Sequence, residues 1–152
     1  MRPLPAPFAP VALAALASGC AFFTPPDTPP RDAGSDALLF HSCTAERFVD
    51  LRAATASRTV TFGIGATPFS YTPPCLRVAA GQTVAFTGAF SVHPLAPGVY
   101  GNPAASPAGN PIRATTSGDR AEFTFPAAGT FPFFCTVHGA GGMAGVVRVE
   151  QP

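Results

Sequence analysis

The chain contains neither tryptophan nor lysine, and charged residues of both signs are scarce. They make up 11% of the 152 residues, and because every basic residue is arginine, balanced by nearly as many carboxylates, the net charge is +1. A near-neutral chain without a basic patch does not have the electrostatic character of a nucleic-acid-binding protein, so we expect no nucleic-acid partner. Phenylalanine, by contrast, is abundant with 14 residues, which predicts an aromatic core with few polar groups.

Residues 1–19 have the pattern of a secretory signal peptide. Arg2 supplies a positive charge, residues 11–17 form a short apolar run, and small residues precede Cys20. The apolar run is too short to cross a bilayer as a helix. A cysteine after small residues resembles a bacterial lipobox, in which Cys20 becomes the lipidated first residue; the alternative is an ordinary signal peptide with a chance cysteine. We expect an exported protein, periplasmic or anchored through Cys20. Position 21 is alanine rather than aspartate, which by resemblance to bacterial sorting rules favours the outer membrane over the inner.

Residues 20–35 are rich in proline, threonine and aspartate and predict a tether rather than a folded segment. Polyproline conformation extends by about 3.1 Å per residue, so the part after Cys20, residues 21–35, spans up to about 45 Å. Residues 36–152 then have the length of one small domain, which we expect to be monomeric.

Alternating apolar and polar residues predict that this domain is all-β. Short strands punctuated by glycine and proline are typical of a sandwich or barrel. Residues 44–54 fit a helix or a strand about equally well, and residues 97–118 form a long loop without periodicity, of the kind that is usually functional or mobile. The strands are expected at residues 58–64, 75–78, 83–86, 121–125, 130–135 and 145–149.

Three donors with the chemistry of a copper site lie within nine residues near the C-terminus. Cys135 offers a thiolate, His138 an imidazole and Met143 a thioether, and His93 lies upstream as a candidate second imidazole. Soft sulfur combined with imidazole suits copper cycling between Cu(I) and Cu(II), with a weak axial thioether helping to set the potential. The alternatives are an inert buried thiol at Cys135, a core Met143 and a structural His93. His41 stands apart, and we interpret it as structural.

With Cys20 assigned to the lipid and Cys135 to the metal, two cysteines remain. An exported chain permits a disulfide between Cys43 and Cys75, although two buried thiols are the alternative.

Residues 134–149 resemble the C-terminal signature of plastocyanin-type cupredoxins, and a weaker similarity extends back to about Cys75. The resemblance implies a Greek-key β-sandwich of about eight strands, one type 1 copper ion bound by His93, Cys135, His138 and Met143, and single-electron transfer. His138 is then the partly exposed ligand, beside which redox partners dock on an apolar patch formed by Leu95, Ala96, Pro97, Gly139 and Ala140.

One local difference from those proteins concerns the hydrogen bond to the copper thiolate. Plastocyanins commonly have asparagine after the first histidine, whereas Pro94 has no N–H group to donate. We therefore expect the donor to lie at Val137, in the loop that carries Cys135, His138 and Met143, which we call the ligand loop. The acidic docking run of plant plastocyanins is also absent from the sequence.

These observations predict a single-electron carrier outside the cytoplasm rather than an enzyme. Cys135 and His138 as a nucleophile and base would lack a third member and an oxyanion motif. The serious alternative is a periplasmic copper carrier or scavenger, although such proteins tend to use exposed sites rich in methionine or cysteine. A structural zinc site is disfavoured because a thioether is a poor zinc ligand.

Overall fold

Nine short strands form the fold, as the computed structural model of residues 41–152 shows. The predicted signal peptide, the lipid on Cys20, the tether and the first residues of the predicted domain lie outside the described residues. The strands are β1 Val49–Asp50, β2 Thr59–Phe62, β3 Tyr71–Thr72, β4 Cys75–Ala79, β5 Thr83–Thr87, β6 Leu95–Pro97, β7 Arg120–Thr124, β8 Gly129–Cys135 and β9 Ala144–Glu150.

The strands form two mixed sheets, with strand orders β1-β4-β9-β8-β6 and β3-β2-β5-β7. Pairs β1/β4, β4/β9 and β2/β5 are parallel, whereas β2/β3, β5/β7, β6/β8 and β8/β9 are antiparallel. The predicted all-β Greek-key sandwich is confirmed, with nine strands rather than about eight. Six of the nine were predicted; β1 lies in the segment that we left open, and β3 and β6 were missed.

Aromatic rings fill the space between the sheets. Phe86 of β5 meets Phe133 of β8 edge to face at 5.0 Å between ring centroids, and Tyr71 meets Phe133 in the same way at 4.9 Å. Edge-to-face pairs of this kind are favourable beyond the area that they bury. The expectation of an aromatic core is therefore confirmed.

Helical structure in residues 41–152 is confined to three single turns of 3-10 helix: Ala45–Arg47, Pro103–Ala105 and Gly139–Gly141. Within that range, the structure has no helix long and apolar enough to cross a membrane. Residues 44–54, which fitted helix and strand equally well, contain one helical turn followed by the two-residue strand β1.

The predicted disulfide between Cys43 and Cys75 is present, with the two Cα atoms 5.7 Å apart. It ties the segment before β1 to the start of β4, and the bridge packs with Phe48 and Val146 in a small buried cluster. Because β4 pairs with β9, the bridge also holds that segment close to the strand that leaves the ligand loop.

Candidate metal centre

The loop between β8 and β9 carries Cys135, His138 and Met143. Cys135 is the last residue of β8, and its N–H donates to the Met143 carbonyl at 2.9 Å, which closes the loop. Inside the loop, the Met143 N–H donates to the His138 carbonyl at 3.2 Å. Gly142 ends the helical turn with φ +90°, a conformation that glycine adopts without steric cost. Backbone hydrogen bonds therefore fix the three candidate ligands relative to one another.

The His93 side chain comes to the same site from a distant part of the chain, between β5 and β6. Its N–H donates to the Ala89 carbonyl at 3.0 Å, which forms a turn after β5. The chain then enters β6, which pairs with β8 so that Leu95 lies opposite Cys135. This pairing carries His93 to the end of β8.

The side chains of His93, Cys135 and His138 converge, with their ligand atoms all within 4.8 Å of one another. The two Nδ1 atoms of the histidines are 3.1 Å apart, and the Cys135 Sγ is 3.5 Å from the His138 Nδ1. A tetrahedral ion at about 2.0 Å from nitrogen and 2.3 Å from sulfur separates such atoms by about 3.3–3.6 Å. Two of the three atom pairs therefore have the spacing of ligands to one metal ion, and the atoms of the third pair lie within 4.8 Å of each other.

Burial differs among the three side chains. Cys135 is fully buried and His93 is 4% exposed, whereas His138 is partly exposed. Burial lowers the pKa of His93, and the adjacent His138 lowers it further. A lowered pKa keeps His93 in the neutral form, which is the form that binds metal.

The family profile of copper-binding proteins of the plastocyanin/azurin family matches residues 58–150. The chain belongs to this family. Among curated proteins, no sequence matches this cupredoxin. A solved structure of oxidised plastocyanin from Dryopteris crassirhizoma is 23% identical, covering 60% of this chain and 99% of its own, with a TM-score of 0.46. Amicyanin from Paracoccus versutus is 25% identical, covering 64% and 85%, with a TM-score of 0.41.

A copper-containing nitrite reductase from Thermus scotoductus is also similar, with 20% identity over 70% of this cupredoxin and a TM-score of 0.47. This cupredoxin spans only 29% of that enzyme's length. The expectation that it is not itself an enzyme remains a prediction.

The hydrogen bond to the Cys135 sulfur comes from the ligand loop of this cupredoxin, but not from the residue that we expected. The backbone N–H of His138 donates to the Cys135 Sγ at 3.4 Å. The assignment to Val137 was wrong, because residues 136–138 form a turn after Cys135, and the N–H of the fourth residue of a turn points back towards the first. One candidate ligand, His138, thus offers an imidazole nitrogen to the site and a backbone donor to the thiol.

Met143 is fully buried in the hydrophobic cluster that also contains Cys135. Its role as an axial ligand remains a prediction. His41 does not belong to the converging group; its Nε2 lies 3.4 Å from the Gly98 carbonyl, as suits the structural role that we expected.

The segment between β2 and β3 adds residues that the sequence did not point to. Phe69 packs its ring against His138 at 4.7 Å and against His93 at 6.1 Å between centroids. Gly63 lies beside the outer edge of the His93 ring, so that a Cβ there would be 3.2 Å from Cδ2. Neither residue stands in a motif, and only the spatial pairing of β2 with β3 brings them to the histidines.

The long loop 97–118 lies against β8 beside the metal centre. The Gly98 N–H and the Asn110 side chain both donate to the Pro132 carbonyl, and Ile112 is fully buried. Tyr100 packs edge-on against Phe134 at 5.7 Å, and a Cβ on Gly139 would collide with its ring. Residues 97–118 therefore pack against β8 and, through Tyr100, against the ligand loop at Gly139.

The surface around His138 is apolar, but its composition differs from the expected patch. Leu95 and Gly139 are buried, because β6 pairs with β8 and Tyr100 covers Gly139. Five exposed apolar side chains are instead connected with the histidines, either in the chain or in space, and we name them the apolar collar. Two of them adjoin His93 or His138 in the chain (Val92 and Val137), and Phe69 packs against both histidine rings. Ile64 follows Gly63 in the chain, and the Tyr100 ring lies against Gly139. The apolar collar consists of Ile64, Phe69, Val92, Tyr100 and Val137.

Proposed function

We propose that this protein is a type 1 copper protein that carries single electrons between redox partners outside the cytoplasm. The observation that carries the proposal is the convergence of one thiol and two imidazoles, with ligand atoms within 4.8 Å, in a chain of a copper-binding family. When bound there, copper supplies a one-electron couple, Cu(II)/Cu(I). Soft sulfur with imidazole is the ligand set that suits both oxidation states.

The protein itself holds the candidate ligands in place through strand pairing and backbone hydrogen bonds. Cys135 ends a seven-residue strand held between β6 and β9, and the loop to Met143 is closed by backbone hydrogen bonds. A site that keeps one geometry in both oxidation states exchanges electrons without rearranging its ligands. The His138 N–H near the Cys135 sulfur adds a hydrogen bond of the kind that tunes the potential.

We place electron exchange with partners at the apolar collar. His138 is the only one of the three converging residues that is more than slightly exposed, and Phe69 covers its ring while remaining 58% exposed itself. Exposed apolar patches of this sort mark interaction sites, and redox encounters use small interfaces.

We also propose that the protein is exported and held at a membrane through Cys20, with residues 20–35 as a tether. The disulfide between Cys43 and Cys75 supports an oxidising compartment, because disulfides persist there and are rare in the cytosol. Mass spectrometry of the mature N-terminus should show a lipidated Cys20; an unmodified start elsewhere contradicts the anchor.

The copper assignment is tested by adding Cu(II) to the copper-free protein. We expect an intense blue thiolate-to-copper absorption band and a narrow EPR hyperfine splitting, both lost in Cys135→Ser. His41→Gln is the control, because His41 lies outside the converging group, and it should leave the spectra unchanged. A colourless, tetragonal Cu(II) species in the unaltered protein would rule out a type 1 site.

Stopped-flow reduction and reoxidation separate an electron carrier from a copper carrier or scavenger. Burial of His93, Cys135 and Met143 favours retention of the metal, since an exchanging site needs accessible ligands. We therefore expect fast reduction and reoxidation without loss of copper. Slow electron exchange, or release of the metal on reduction, would favour the copper carrier.

A further inference from the structure

The exposed large apolar side chains of this protein are concentrated at the metal centre. Six of them occur in residues 41–152, and five of the six form the apolar collar; the sixth, Val49, lies on β1. The collar includes Phe69, which packs on the His138 ring. Single exposed apolar residues are ordinary in a folded protein, whereas a group of them marks a surface that contacts a protein or a membrane.

The chain segments that carry the apolar collar are uncharged. Residues 59–76, 78–112 and 123–147 contain no aspartate, glutamate or arginine, and the chain has no lysine. Such a surface can leave water without the large cost of desolvating an ion. Phe69 and Tyr100 add aromatic rings to it, and tyrosine in particular is enriched where a membrane meets water. The collar therefore has the composition of a surface that enters the interfacial layer of a bilayer.

The chain enters the described fold at the same end of the domain. His41, the first described residue, has its Nε2 3.4 Å from the Gly98 carbonyl. It also shares a surface depression with Gly139, and the Tyr100 ring of the collar packs where a Cβ on Gly139 would lie. The preceding residues join this point to Cys20, the proposed lipid attachment site. An anchor at Cys20 therefore holds the domain by the end that carries the collar.

We propose that the apolar collar rests on the surface of a phospholipid bilayer, with its side chains in the interfacial layer. The proposal rests on the anchoring proposed above, which supplies the membrane, and it needs no metal. Contact with lipid removes apolar surface from water, and an uncharged surface gains this free energy without requiring anionic lipid. Because Phe69 covers His138, contact with lipid also screens the electron-exchange surface from partners in solution.

The chain has no tryptophan, so a single introduced tryptophan reports its own surroundings by fluorescence. Val137→Trp places the reporter on the collar, and Val49→Trp is the matched control at an exposed valine outside it. The copper-free full chain carrying either variant is reconstituted into phosphatidylcholine vesicles with brominated acyl chains. We expect the Val137→Trp emission to shift to the blue and to be quenched by the bromine. The Val49→Trp emission should match that of the lipid-free protein.

A second substitution in the Val137→Trp chain tests whether apolar burial drives the contact. Ile64→Ser should lower the equilibrium constant for collar insertion about tenfold, because an exposed apolar side chain no longer leaves water. Val49→Ser is the control and should leave this constant unchanged. The quenching should also persist at high salt, since screening weakens only charge attraction. Loss of quenching at high salt would contradict an apolar contact.

Vesicle flotation separates failure of the anchor from failure of the collar contact. Chains that float with the vesicles while the Val137→Trp reporter stays unquenched would overturn the collar contact and leave the anchor in place. Chains that do not float would overturn both. Equal quenching in Val137→Trp and Val49→Trp would mean unspecific contact with lipid and would also overturn the proposal. A blue shift of Val137→Trp that grows with protein concentration without lipid would assign the collar to a second copy instead.

Discussion

Gly63→Ala tests whether the segment between β2 and β3 positions a metal ligand. Gly63 has φ +71°, and a Cβ there would lie 3.2 Å from the His93 Cδ2 and 3.3 Å from its Nε2. Gly65, two residues on, has φ +68°, and a Cβ there would meet nothing within 4 Å. Gly65→Ala is therefore a matched control with the same backbone strain and no contact with the histidine.

The expected magnitudes separate strain from contact. A left-handed conformation costs an L-residue about 1–2 kcal/mol, so both variants should lose that much unfolding free energy in the copper-free state. Only Gly63→Ala also places a methyl group inside the optimal carbon contact distance of about 3.5–4.0 Å. The His93 ring relieves the contact by leaving its rotamer, which costs about 0.5–1.5 kcal/mol. Copper requires the original ring position, so copper affinity should fall about two- to tenfold.

Urea unfolding of the copper-free variants gives the first quantity, and competition with a chelator of known copper affinity gives the second. The EPR spectrum of the Cu(II) form should change in Gly63→Ala and stay as it is in Gly65→Ala. Equal copper affinities for the two variants would refute the reasoning, because the contact with His93 would then have no effect on the site.

Three further predictions concern Phe69, the Cys43–Cys75 disulfide and the proposed axial ligand Met143. Phe69→Ala should lower the unfolding free energy by about 2 kcal/mol and lower the reduction potential, because water at His138 favours the more highly charged Cu(II) form; Ile64→Ala, measured alongside by voltammetry, should leave the potential unchanged. Reduction of the Cys43–Cys75 disulfide, with its sequence separation of 32, should cost about 3.7 kcal/mol in urea unfolding of the copper-free protein. Equal stability of the oxidised and reduced forms would contradict this. Met143→Leu should change stability by less than about 1.5 kcal/mol yet raise the potential, since a weak donor to Cu(II) is lost; an unaltered potential would leave Met143 a core residue.

The ligand loop could be predicted from the sequence because its information is local. Cys135, His138 and Met143 lie within nine residues, and their donor chemistry is a property of residue type. Strands β8 and β9 on either side are seven residues each, long enough to show their pattern. His93 is a different case. It was named as a candidate second imidazole from its residue type, the family resemblance then assigned it to the copper site, and the geometry that brings it to Cys135 depends on β6.

Strands β3 and β6 were missed because neither has a local signal. Leu95–Pro97 has three residues and ends in proline, and Tyr71–Thr72 has two. Each becomes a strand only by pairing, β6 with β8 and β3 with β2. Pairing between distant segments is a property of the folded chain, and no window of the sequence contains it.

The same physics explains why the ligands were easier to predict than the surface around them. Exposure depends on which segments fold over a residue, so Leu95, expected at the surface, is covered once β6 joins β8. Phe69 is the opposite case. A phenylalanine is usually expected in the core, but this one lies at the surface because the segment leading into β3 places it against the His138 ring. Under the docking proposed above, a partner meets this nonlocal surface rather than the motif. Variants of the apolar collar should therefore change partner choice while the motif continues to specify the metal.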